Sequence, residues 1–222
     1  MFLASGFATS AEPLSDSGQN QLTPVDPNIV LVLGDSISAG YGIEQELGWV
    51  NLLNERLLRQ TTLSQELHQE LYQVSYQVKN LSVSGETTVG GLTRLPQALE
   101  RYNPDIVIIE LGGNDGLRGY PISKIRANLN QLVSTSLQAN SRVLLVGMML
   151  PPNYGKRYAD AFYRTFSEIA AIHNVPLLPF LLDGIAADTA LMQRDGIHPR
   201  AEAQSLILEN IWPQLDEMIN SR

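Results

Sequence analysis

The sequence predicts a three-layer α/β/α sandwich around a mainly parallel five-stranded sheet, and two observations carry the prediction. Apolar runs of strand length alternate with segments whose apolar residues recur at helical spacing, which is the βαβ order of a parallel sheet. The strand runs are also nearly all apolar instead of alternating with polar residues, as strands covered on both faces must be.

The expected strands are 29–33, 78–83, 105–111 and 142–150, with 175–178 a shorter fifth. Between the second and third, Leu92, Leu95, Leu99 and Tyr102 share one helical face. Between the third and fourth, Ile122, Ile125, Leu129, Leu132 and Val133 do the same. Segments 48–59 and 158–173 are expected helices, and after Pro199 a last helix carries Leu206, Ile207, Ile211, Leu215 and Ile219. The polar segment 60–76 is an expected excursion between the first helix and the second strand.

At 222 residues the chain can bury one sizeable core, so a single domain is expected over 29–222. Residues 1–28 are rich in Ser, Thr, Pro, Gln and Asp, carry no Lys or Arg, and are expected to form a tail. The first eleven residues have small side chains at plausible cleavage positions but no basic n-region, so the tail is either plain disorder or a signal remnant. A periplasmic or secreted protein is the expectation, with a cytoplasmic one left open.

Composition excludes several classes of function. A formal charge of −8, from 15 Lys and Arg against 23 Asp and Glu, repels phosphate backbones, so no nucleic-acid partner is expected. No apolar run approaches the roughly 18–20 residues of a membrane span, so no stable membrane insertion is expected. With no cysteine and only His68, His173 and His198, neither thiolate catalysis nor a metal centre is expected. Chemistry must then run on oxygen nucleophiles and an imidazole.

In parallel sheets ligands bind beyond the carboxyl ends of the strands, which makes the residues after each run the first candidates. The first strand delivers Gly34-Asp35-Ser36, read either as a helix cap or as a serine nucleophile. The second delivers Ser84-Gly85-Glu86, where Gly85 is a turn residue or a backbone oxyanion donor. The third delivers Gly112-Gly113-Asn114-Asp115-Gly116, a turn signal whose Asn114 amide could donate to an oxyanion without bringing charge. Near the other end, Asp195-Gly196 and His198-Pro199 are read either as a turn and a helix start or as a pair in which Asp195, three residues before His198 on one bend, holds Nδ1 and leaves Nε2 free for Ser36. His68 lies in the polar excursion and His173 ends a helix, so neither shares that arrangement. Turns alone would have to explain all four exits at once.

This ordered set resembles the SGNH hydrolases, also called GDSL esterases and lipases, whose four blocks centre on Ser, Gly, Asn and His. The resemblance runs from about Ile29 to the C-terminus. It is most specific in the stretches Gly34–Tyr41, Glu110–Gly119, Leu150–Gly155, Pro176–Phe180 and Asp195–Pro199, which are similar to the bacterial thioesterase and lysophospholipase branch. It implies a flavodoxin-like α/β fold and hydrolysis of acyl esters or thioesters by a cofactor-free monomer. Ser36 is implied as nucleophile, His198 as base and then acid, and Asp195 as its orienter. Ser36 N–H, Gly85 N–H and the Asn114 side chain are the implied oxyanion donors. Asp35, Gly113, Leu117, Leu150, Pro151 and Tyr154 are the implied substrate-side residues. Glu86 stands where related enzymes often have aspartate. Sugar deacetylation, which the superfamily also performs, and a non-catalytic binding module are the alternatives.

Overall fold

Strand β1 (Asn28–Gly34) is built from aliphatic residues whose side chains alternate between two cores, and Val30, Leu31, Val32 and Leu33 are all fully buried. The computed structural model describes residues 27–66 and 75–221. On one side β1 pairs with β2 (Tyr76–Asn80) and on the other with β3 (Ile106–Glu110), followed outward by β4 (Arg142–Val146) and the two-residue β5 (Leu177–Leu178). All pairings are parallel, in the order β2-β1-β3-β4-β5. The chain leaves β1 for β2 and returns across it to β3, so a crevice opens where the order reverses, at the ends of β1 and β3.

Val30, Val32, Ile106 and Ile108 face a core closed by α1 (Trp49–Glu66) and α6 (Gln204–Asn220). Leu31, Leu33, Val107 and Ile109 face a second core closed by α2 (Thr88–Tyr102), α4 (Ile122–Gln138) and α5 (Lys156–His173). The two layers are what hold the sheet, since each fully buried aliphatic side chain contributes about 1.5–3 kcal/mol. The five-residue α3 (Gly113–Leu117) sits at the exit of β3.

Helix ends follow local chemistry. The Thr87 hydroxyl accepts from the Gly90 N–H at 3.2 Å to cap α2, while Asn103 and Asn174 take left-handed conformations that end α2 and α5.

Several boundaries differ from expectation. The run 142–150 leaves the sheet at Val146, because Met148 and Leu150 are buried in the α5-side core as loop residues. Their burial makes them read like strand. Strand β2 covers 76–80 instead of 78–83, although Leu81 and Val83 still donate to the Val32 and Gly34 carbonyls at 2.9 and 3.1 Å. Residues 60–66 of the expected excursion continue α1, and the buried Tyr76 opens β2. Residues 67–74, with His68, lie outside the described residues, as does the tail reading over 1–26. Asn28 belongs to β1, paired with Tyr76. Among the described residues no helix is long and apolar enough to cross a membrane.

Candidate active site

The turn that carries Ser36 is set by the end of β1 and by a buried carboxyl beneath it. Gly34 pairs in register with Glu110, and a Cβ on Gly34 would come within 2.6 Å of Glu110 Oε2, so only glycine fits. Glu110 is fully buried, and its Oε2 accepts from Asp35 N–H at 3.2 Å and from Ser38 Oγ at 2.7 Å. Those two residues bracket Ser36. Burial, then the neighbouring Asp35 charge, push the Glu110 carboxyl well above its ordinary range, which favours its neutral form.

Asp35 is itself 3% exposed, and burial raises it to about 6 against the opposing bonds it accepts. Its Oδ1 accepts from Ile37 N–H at 3.0 Å and its Oδ2 from Asn114 Nδ2 at 3.3 Å. The turn closes with Ala39 N–H on Asp35 O and Tyr41 N–H on Ser36 O, at 2.9 and 3.0 Å.

The predicted dyad forms as the spacing requires. His198 Nε2 lies 2.8 Å from Ser36 Oγ, and His198 Nδ1 lies 2.7 Å from Asp195 Oδ2. The other Asp195 oxygen accepts from the N–H groups of Ile197 and His198 at 2.9 and 3.0 Å. Slight burial works to raise Asp195, but the bond to the His198 ring and the two backbone bonds outweigh it and hold the carboxyl at about 2. The Tyr41 ring packs on the imidazole with centroids 4.4 Å apart.

At the exit of β2, Gly85 takes a φ of 79°, and its carbonyl accepts from Arg118 Nη2 at 3.3 Å. No group among the described residues accepts from Gly85 N–H or Ser36 N–H. Asn114 sits in the first turn of α3. Its neighbour Asp115, fully buried, accepts from Thr88 N–H at 2.9 Å and Thr88 Oγ at 2.7 Å. The segments carrying Gly85 and Asn114 are thereby locked together.

The substrate-side residues divide. A Cβ on Gly113 would meet Asp35 Oδ2 at 3.1 Å and Met148 Sδ at 3.2 Å, so this backbone is pressed close beneath the crevice. Leu150 is buried against Gly116, Leu117 packs on the same core, and Pro151 heads a 3-10 turn over Pro152–Tyr154. The Tyr154 hydroxyl is spent on the Leu117 carbonyl at 3.0 Å. It braces the loop after α3. Glu110, Asp115 and Tyr41 were not singled out by sequence reasoning, although one acidic residue ending an otherwise apolar run could have marked Glu110. His173 stands apart, with Nε2 2.8 Å from Asn130 Oδ1. Among the described residues no cluster of three or more His, Asp or Glu could hold a metal ion.

The model of the GDSL-like Lipase/Acylhydrolase family matches residues 32–206, which span every element of this site. The chain belongs to that family. It is 44% identical to the Esterase TesA of Pseudomonas aeruginosa over 190 residues, covering 86% of this chain and 89% of TesA. It is 38% identical to the thioesterase 1/protease 1/lysophospholipase L1 of Escherichia coli K12 over 191 residues, 86% and 85% of the two chains. Among solved structures, the psychrotrophic esterase EstA from Pseudoalteromonas, in a form inhibited by monoethylphosphonate, superposes with a TM-score of 0.78 at 40% identity, over 87% of this chain and 99% of EstA. The α/β fold of this chain is thus that of the GDSL-like hydrolases.

Proposed function

We propose that this chain is a serine hydrolase of acyl esters and thioesters, acting through an acyl-enzyme on Ser36. The observation that carries the reading is the unbroken line Asp195–His198–Ser36, at 2.7 and 2.8 Å. A serine hydroxyl needs a base within hydrogen-bond reach and a third group to orient that base.

Ser36 Oγ attacks the carbonyl carbon as its proton passes to His198 Nε2. The oxyanion that forms is met by the N–H groups of Ser36 and Gly85 and by the Asn114 amide, which Asp35 holds in place. His198 returns the proton to the leaving alcohol or thiol as the C–O or C–S bond breaks. Water then attacks the acyl carbon as its proton passes to the same nitrogen, and His198 gives that proton to Ser36 Oγ as the acyl–oxygen bond breaks and the acid leaves. Asp195 keeps the imidazole in the tautomer with Nδ1–H and stabilises its protonated form. No cofactor enters these steps.

The half-buried Leu117 at the end of α3 favours acyl chains over acetylated sugars as substrates. We place the enzyme in the periplasm or outside the cell, on the small residues at plausible cleavage positions among the first eleven, and read it as a monomer. N-terminal sequencing of protein from its host and light scattering test those two points.

The function is tested by turnover of p-nitrophenyl esters and acyl-CoAs across chain lengths, with Ser36→Ala in parallel. Hydrolysis of medium or long acyl chains that disappears in the variant supports the reading. Turnover confined to acetylated sugars would replace the substrate class, and no turnover of any ester would leave a binding module.

A further inference from the structure

Ser36 and His198 are 162 residues apart in the chain, and their 2.8 Å contact depends on two distant segments meeting in register. The Gln193 side chain ties those segments by hydrogen bonds. Gln193 Nε2 donates to the Tyr41 carbonyl at 2.7 Å and to the Pro199 carbonyl at 3.0 Å. Tyr41 belongs to the nucleophile turn, since its own N–H donates to the Ser36 carbonyl. Pro199 follows His198 directly, and Gln193 N–H donates to the His198 carbonyl at 2.7 Å. We propose that Gln193 is a positioning residue that clamps the serine-bearing loop to the histidine-bearing loop and so fixes the Ser36–His198 distance. The proposal rests on the hydrolase reading above.

Residue chemistry supports the assignment. Two carbonyl oxygens on different loops can be bridged by one nitrogen only if it carries two N–H bonds, which a neutral primary amide does without adding charge beside the imidazole. The space for that amide is reserved on the nucleophile side. Gly42 has a φ of 76°, and a Cβ there would fall 2.5 Å from Gln193 Oε1. The histidine side is stiffened independently by the antiparallel bridge between Met192 and Pro199 and by Arg200 Nε on the Met192 carbonyl at 2.8 Å. Tyr41, held through its carbonyl, lays its ring on His198. Loss of the clamp therefore frees both the distance and the ring packing at once.

The test compares wild type with Gln193→Met and Gln193→Glu, reading ester hydrolysis, the rate of covalent capture by an alkyl phosphonate, and the thermal midpoint. Methionine keeps the volume and removes both donors. Gln193→Met is expected to lower kcat and the phosphonylation rate by up to about 10²-fold, the scale of a misplaced catalytic group. KM should hold, and the midpoint should move by only about 2–4 °C. Glutamate supplies a pH readout that a purely structural role would not move. Ionised, it cannot donate to either carbonyl, whereas protonated it restores one bond, so its activity relative to wild type is expected to rise as pH falls. The ionisable neighbours on the two segments are Arg194, Asp195, His198 and Arg200, and Asp35, Tyr41 and Glu44. All are common to both proteins, so their titration largely divides out of the ratio.

Unchanged kcat and phosphonylation in Gln193→Met would overturn the clamp. Should methionine disturb folding, a pH-independent Gln193→Glu ratio would overturn it equally. A wild type inert to both ester and phosphonate would instead overturn the hydrolase reading, and the clamp with it.

Discussion

Asp35 and Asp195 flank the same hydroxyl–imidazole pair under opposite conditions. Asp35 is buried at the strand exit over Glu110 and is pushed up to about 6, while the Asp195 side chain, 40% exposed on its loop, is held at about 2. The first belongs to a half of the site made by the sheet, where β1, β3 and α3 fix Ser36 and Asn114 through bonds among buried groups. The second belongs to a half made by one bend between Gln193 and Pro199, which orders itself with two backbone bonds to a single carboxylate oxygen. A buried carboxyl tends to lose its charge and serves as scaffold, whereas an exposed, well-bonded one keeps its charge and can stabilise a protonated imidazole.

The largest effect that sharpens this contrast is expected from the exposed half. Asp195→Asn keeps an oxygen acceptor for the bend but removes the charge that selects the tautomer, and kcat is expected to fall about 10³–10⁴-fold, with a smaller loss of stability at neutral pH from the lowered carboxyl it replaces. Steady-state kinetics beside thermal denaturation check both parts. In the buried half, Asn114→Ala removes one oxyanion donor and is expected to lower kcat about 10²–10³-fold with KM nearly unchanged.

Glu110→Ala strands the Asp35 N–H and the Ser38 hydroxyl, and is expected to cost about 3 kcal/mol of stability in urea denaturation. Glu110→Gln, which keeps an acceptor for both donors, should lose markedly less. Equal losses would break the view of Glu110 as a neutral scaffold.

The smallest effect separates the two aspartates by the sign of their linkage to pH. A raised folded pKa gives Asp35 a stabilising share that is complete below its ordinary value near 3.8 and is lost as pH rises through about 6. A lowered one gives Asp195 a share that is complete above that value and is lost as pH falls through about 2. Asp35→Asn should therefore flatten the decline in stability between about pH 4 and 6, and leave the acid limb of denaturation in place. The same slope in variant and wild type over that window would break the comparison.

The sequence showed the sheet-bound half and the bend unequally. Ser36, Gly85 and Asn114 were legible because parallel strands must deliver ligand-binding residues at their carboxyl ends, and Asp195 with His198 because both lie on one short bend. Boundaries were harder where burial mimics a strand, as at Met148 and Leu150, or where helix α1 continues through polar residues past Arg59. Glu110 and Asp115 escaped notice because each works through partners far along the chain, and Gln193 because one of its two amide bonds does. Glu110 and Ser38 are 72 residues apart, and Gln193 and Tyr41 are 152. No local pattern announces such pairs. Tyr154 shows the converse, a polar residue at the right loop whose hydroxyl the protein itself uses.

The central claim, that Ser36 is a nucleophile activated by His198, is tested most directly by incubating the protein with an alkyl p-nitrophenyl phosphonate and mapping the adduct by mass spectrometry. One adduct per chain is expected, located on Ser36, with matching loss of esterase activity, and no adduct in Ser36→Ala. An unmodified wild type, or an adduct that persists in the variant, would contradict it.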